Sequence, residues 1–216
     1  MRKDNLVKGE IYHIYNRGVD KRNIVMDKED MDRFFQSMIE FNTITPIGSI
    51  YENSFIKKNG QLGRLTSKLV EIVAYCLNPN HFHLLLKQET DSGISEFMKR
   101  LGGGYTKYFN TKYGRSGALF QGTFLSKHID SNEYLLRVSS YVNLNNQIKG
   151  RPSFLSMASW REYLEDDAES LCSSSQKDLI LGQFKGVSEY KRFALEALED
   201  IKFQKNKNKD QEEFFT

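Results

Sequence analysis

Two histidines separated by one residue, His81 and His83, are the first candidates for chemistry in this chain. On a β-strand, residues i and i+2 point to the same face, so the HFH triplet sets two imidazoles side by side and turns Phe82 the other way. Paired neutral imidazoles bind many divalent ions, and residue type alone does not choose among Mn²⁺, Mg²⁺ and Zn²⁺. The plainer reading is two half-exposed strand histidines. Against it, the chain has four histidines and two of them share this motif. The second candidate group is Tyr141 with Asn145, in SNEYLLRVSSYVNLNNQ. Residues four apart share a helix face, and Tyr134 falls two turns earlier on nearly the same side. A tyrosine hydroxyl can be a covalent nucleophile, although its ordinary pKa near ~10 makes it weak at neutral pH. A nearby ion would help by polarising a phosphate and stabilising a leaving oxygen. With 11 tyrosines in the chain, one on an amphipathic helix is ordinarily core.

Around these residues the apolar pattern predicts the elements that position them. GEIYHIYNRG, residues 9–18, reads as a strand and Asp27 to Thr43 as a helix capped by Asp27. The 46–66 segment, with Pro46, Gly48, Gly60 and Gly63, reads as an insertion or irregular loop. Leu69 to Leu77 and His81 to Lys87 form two strands joined by the tight Asn78-Pro79-Asn80 turn, hence antiparallel. Asp91 to Phe109 reads as a helix interrupted by three glycines, Ala118 to Ile129 as a strand, and Asp130 to Asn146 as a helix. The order β-α-β-β-α-β followed by a helix predicts an α+β fold. It is a ferredoxin-like split β-α-β antiparallel sheet with helices on one face, plus a C-terminal helical extension. We place the first domain at residues 1–150, the helical extension at 151–205 and a disordered tail at 206–216.

Composition narrows the class. The 216 residues carry a net charge of +3, but unevenly: residues 51–150 hold 13 Lys/Arg against 7 Asp/Glu, and residues 151–216 hold 10 against 13. A basic middle suits a polyanion on one part of the surface. Lys87, Lys99, Arg100, Lys107, Lys112, Arg115 and Lys127 are candidates to track phosphates, and Arg17 is another. Tyr105 and Phe120 are candidates to stack on unpaired bases. Cys76 and Cys172 make no disulfide framework, and the polar N-terminus has no apolar signal region. No apolar run approaches the ~20 residues of a spanning helix, so a cytoplasmic protein with no membrane partner is expected.

The motifs in order resemble one family. HFH preceded by NPN and followed by LLLK is similar to the HUH motif, and Tyr141 follows His81 by 60 residues. Together with YHIYNRGVDKRNIV, GALFQGTFLSKHI, EYLLRVSSYVNLNN, MASWREYL and FKGVSEYKRF, it resembles the REP-associated tyrosine transposases of the IS200-like, single-tyrosine HUH group. The resemblance implies one divalent ion, Mg²⁺ or Mn²⁺, held by His81, His83 and Asn145. Tyr141 would attack a phosphodiester of single-stranded or hairpin DNA to form a 5′-phosphotyrosine, with no nucleotide cofactor because that bond conserves the energy. The chain departs from the pattern at Asn145-Asn146, where relatives have Asn-Pro.

Three other readings compete. A silent hairpin-DNA-binding regulator of the same fold has no need for all four residues. A replication initiator or relaxase is expected to carry further domains. A zinc hydrolase would need a third strong ligand and would survive loss of Tyr141. We expect a monomer or weak homodimer, because helices after Pro152 can cover the face that a partner would use.

Overall fold

The protein is described by a computed structural model over residues 5–58, 67–165 and 170–207. Strands β1 (Ile11–Arg17), β2 (Val70–Leu77), β3 (His81–Gln88), β4 (Leu125–His128) and β5 (Met157–Ala158) make one sheet in the order β4-β1-β3-β2-β5. Every pairing is antiparallel. β1 and β2 flank β3 and therefore run parallel to each other, which demands a crossover rather than a hairpin. Helix α1 (Lys28–Glu40) supplies it. The first four strands thus have the split β-α-β order expected from the sequence.

Alternation along β3 divides the core. Phe82, Leu84 and Leu86 face α1 and helix α3 (Gly93–Lys112). Phe34 lies with its ring centroid 5.5 Å from Phe82 and 5.1 Å from Tyr105. Fully burying each such ring contributes roughly 1.5–3 kcal/mol. The two helices inside the split unit therefore share one face, as expected. Helix α4 (Asn132–Asn143), which follows β4, crosses the other face over β2 and β3.

Local chemistry explains the helix ends. Asp27 accepts a hydrogen bond from the Asp30 amide (2.9 Å), and Lys112 at the end of α3 bonds both carboxylates, tying the two helices together. Ser131 caps α4 by accepting from the Tyr134 amide.

Several expectations are corrected. Within the 46–66 segment, α2 (Ile50–Lys58) is a helix. Ser49 and Glu52 exchange side-chain-to-backbone bonds of 3.1 Å each, a reciprocal capping box legible as S-x-x-E. Residues 59–66 lie outside the described residues. β4 is shorter than Ala118 to Ile129, because Gly117 and Gly122 adopt left-handed φ values of 83° and 69° and Phe120 makes a single bridge to Gly18. α4 stops at Asn143, and Asn145 sits in the following 3₁₀ turn (Asn145–Gln147) instead of on the helix.

After Pro152 come β5, then α5 (Trp160–Leu164), α6 (Ser174–Leu181) and α7 (Val187–Lys207). α7 runs through Lys207, past the expected start of a tail, and residues 208–216 lie outside the described residues. This segment closes the outer edge of β2. The register of β2 slips between Ile72 and Ala74, and the loosened groups find partners here: Ser173 N donates to Ile72 O (2.8 Å) and Tyr163 Oη to Val73 O (2.7 Å). The Tyr75 amide donates to Ser159 Oγ at 2.8 Å. Unpaired backbone groups on a buried edge are costly, so this trim stabilises the sheet.

Candidate active site

β3 delivers His81 and His83 to the sheet face that α4 covers, with ring centroids 5.2 Å apart. β1 runs beside it in a register that pairs Arg17 with His81 and Tyr15 with His83. His13 and Tyr15 therefore share the histidine face. Tyr141 on α4 closes the group from above, its ring edge-on to His83 at 5.4 Å and to His13 at 5.9 Å.

Each histidine of the pair is held through Nδ1. His81 Nδ1 lies 2.7 Å from Asn80 Oδ1, and because a carbonyl oxygen only accepts, Nδ1 carries a proton; the Asn78 side-chain NH2, which only donates, faces Nε2 and takes its lone pair. His83 Nδ1 lies 2.9 Å from His13 Nε2. His81 Nε2 and Asn145 Oδ1 are 3.2 Å apart, and both accept from the Asn78 side-chain amide at 3.2 and 2.9 Å. Their lone pairs converge on that donor as they would converge on a cation. Two adjacent ligands of an octahedral ion bound at about 2.1 Å lie about 3 Å apart, so the observed spacing fits a shared ion. Ser156 in turn donates to Asn78 Oδ1 (3.2 Å), linking the site to the segment before β5. Among the described residues, no three His, Cys, Asp or Glu form a group that could hold an ion.

Burial sets the proton states. It pushes His13 down to about 4, with the Lys127 charge adding to the effect, so His13 is neutral at physiological pH. It pushes Tyr141 up to about 12, opposed by a hydrogen bond from the Asn145 side chain. Asn145 therefore touches both halves of the site, its oxygen facing His81 and its side chain bonding the Tyr141 hydroxyl. Cys76, opposite His83 in the sheet, is raised to about 12 by burial and stays a thiol.

The structure brings together His81, His83, Tyr141 and Asn145, all four proposed from sequence, and adds His13, Tyr15, Asn78, Asn80 and Ser156. His13 and Tyr15 were legible as two more residues on one strand face. Asn78 and Asn80 read only as a turn. Among the DNA candidates, Arg17 and Lys127 lie on the site face, in register with His81 and His13. Lys127 also sits 4.8 Å over the Tyr134 ring.

The remaining DNA candidates divide. Lys87 shares the histidine face but ends β3, with Nζ 2.9 Å from Glu89 and 3.9 Å from Glu71. Lys99, Arg100, Lys107 and Lys112 belong to α3 on the far side of the sheet, and Arg115 follows that helix. There Arg100 is bound to Glu96 and the Thr43 carbonyl, and Lys112 to Asp27, Glu29 and Asp30. Arg115 bonds Asn110, and Lys99 and Lys107 are exposed. Two candidates are corrected outright: Tyr105 is 0% exposed with its hydroxyl bonded to Ile24 O, and Phe120 packs on Phe82, so neither ring is open to a base.

The architecture is thus an α+β antiparallel sheet with a histidine pair on the face that the tyrosine-bearing helix covers. Residues 63–145 match the family model of IS200-like transposases, a span that contains His81, His83, Tyr141 and Asn145. The resemblance read from the motifs is borne out there. No curated protein matches. Among solved structures, a REP-associated tyrosine transposase bound to a REP hairpin aligns with a TM-score of 0.48 at 13% identity, covering 81% of this chain and 90% of that one. No described helix is long and apolar enough to cross a membrane.

Proposed function

We propose that the protein is a metal-dependent single-strand DNA endonuclease and strand transferase acting at hairpin-flanked repeats. The observation that carries this reading is Asn145 bridging His81 and Tyr141 inside a segment that matches the IS200-like transposase model. His81 Nε2, His83 and Asn145 Oδ1 would hold one Mg²⁺ or Mn²⁺. When bound, the ion would polarise the scissile phosphate and stabilise charge on the leaving oxygen. Tyr141 supplies the attacking oxygen. A P–O bond forms to its Oη and the bond to the 3′ oxygen breaks, leaving a 5′-phosphotyrosine and a free 3′-OH; the proton lost by the phenol balances the one gained by the 3′ oxygen. Asn145 steadies the phenol oxygen through its hydrogen bond, which matters because burial alone disfavours the anion. Arg17 and Lys127 face the same side and suit the flanking phosphates.

The test uses end-labelled single strands carrying hairpins from beside the gene, with Mn²⁺ or Mg²⁺, run on a denaturing protein gel. A covalent labelled band that disappears in Tyr141→Phe and His81→Ala is expected. Cleavage that survives Tyr141→Phe without a covalent band would identify a water-using nuclease instead. Tight hairpin binding with no cleavage would favour a catalytically silent regulator.

A further inference from the structure

We infer that His13 is a positioning residue that sets which nitrogen of His83 carries the proton. The inference rests on reading His83 as an ion ligand. His13 Nε2 and His83 Nδ1 face each other at 2.9 Å, both side chains being less than a tenth exposed. One proton lies between the two facing nitrogens, and its owner decides what His83 can do. If His13 owns it, His83 accepts through Nδ1, carries its own proton on Nε2, and presents an N–H where a ligand needs a lone pair. If His83 owns it, His13 Nε2 accepts and His83 Nε2 is left as a lone pair. The second arrangement alone makes His83 a ligand.

His81 needs no such partner choice, because Asn80 Oδ1 can only accept. On His83 the same task falls to an imidazole, and the packing keeps that imidazole in place. The His13 ring stacks at 5.1 Å on His83 and lies 5.0 Å from Tyr15, with Tyr141 edge-on above it. β1 fixes its height by pairing His13 with Leu85 on one side and Lys127 on the other. His13 is also set back from the Asn145 end of the site, where His81 meets the third ligand, so it acts through His83. An acceptor on the far nitrogen orients a metal-binding histidine and raises its basicity, an effect worth about 10–100-fold in metal affinity.

Two measurements test this. Nitrogen-15 NMR of the histidine rings in the metal-free wild-type protein reports the tautomer directly. His83 in the Nδ1–H form is expected, and an Nε2–H form overturns the inference without any variant. Calorimetric Mn²⁺ titration then compares wild type, His13→Leu, His13→Gln and His81→Ala, each checked for folding by its melting transition. His13→Leu should weaken Mn²⁺ binding about 10–100-fold. His13→Gln, whose carbonyl can accept from Nδ1–H, should recover most of it. Binding that needs His81 but is indifferent to His13→Leu overturns this inference alone. A wild-type protein that takes up no ion, or takes it up equally after His81→Ala, overturns the ion-site reading and this one with it.

Discussion

Asn145 is polar on both sides of its amide, and the site uses both. Its oxygen meets His81 and the Asn78 amide, and its side chain bonds Tyr141. In the proposed ion site, Asn145→Asp would keep an oxygen ligand but lose the donor. We expect it to retain Mn²⁺ binding by calorimetry while forming covalent adduct about tenfold more slowly, the equivalent of one lost hydrogen bond. Proton states at this scale also reach stability. His13 titrates at about 4 when folded and near 6.5 when unfolded, so the unfolded chain takes up the proton first as acid is added. Its contribution is complete above pH 6.5 and is lost as pH falls through about 4, up to about 3 kcal/mol. Urea melts of metal-free protein at pH 7 and pH 4.5 should therefore differ less in His13→Leu than in wild type. The HFH alternation made the histidine face readable, and the same alternation placed His13 and Tyr15 on it. The roles of Asn78 and Ser156 were not readable, since they follow from a chain returning 67 and 78 residues later to touch a turn.

Helix α3 shows how an element can satisfy its composition for reasons unrelated to a ligand. Its basic residues raised the local charge, yet Lys112 serves the α1–α3 seam and Arg100 ties α3 to the chain that follows α1. Charge counts carry no face, whereas ion-pair geometry does. Burial works against the Lys112 ammonium, but its bonds to Asp27, Glu29 and Asp30 hold its pKa well above the ordinary lysine value. Lys112→Met would leave Asp30, 0% exposed, without its cation, and should cost about 3 kcal/mol or more in urea unfolding. The triple glycine divides as well. A Cβ at Gly104 would lie 2.5 Å from the Phe41 ring, while Gly102 and Gly103 have open space. Gly102→Ala and Gly103→Ala should each stabilise by about 0.4–1 kcal/mol in thermal melts, and Gly104→Ala should destabilise. The glycine run signalled a close approach in the sequence, but not which of the three makes it. Likewise β5, two residues long, has no signature of its own; it exists because the β2 edge offers it partners.

At the scale of the molecule, the C-terminal helices hold α4, which carries Tyr141, against the sheet. α7 packs along α4, the Asn143 side-chain Nδ2 donates to Tyr190 Oη (2.8 Å), and Ser159 Oγ donates to Asn143 Oδ1. Light scattering across a hundredfold concentration range should return the mass of a single chain, and a dimer at the lowest concentrations would contradict it. The tie has a genetic reading too. In an enzyme whose tyrosine helix crosses to a partner, two differently broken copies can rebuild one working centre between them. If the chain works as the single mass expected above, histidines and tyrosine come from one polypeptide. Co-expressed His81→Ala and Tyr141→Phe should therefore fail to complement, and the two defects should behave as lesions in a single indivisible unit.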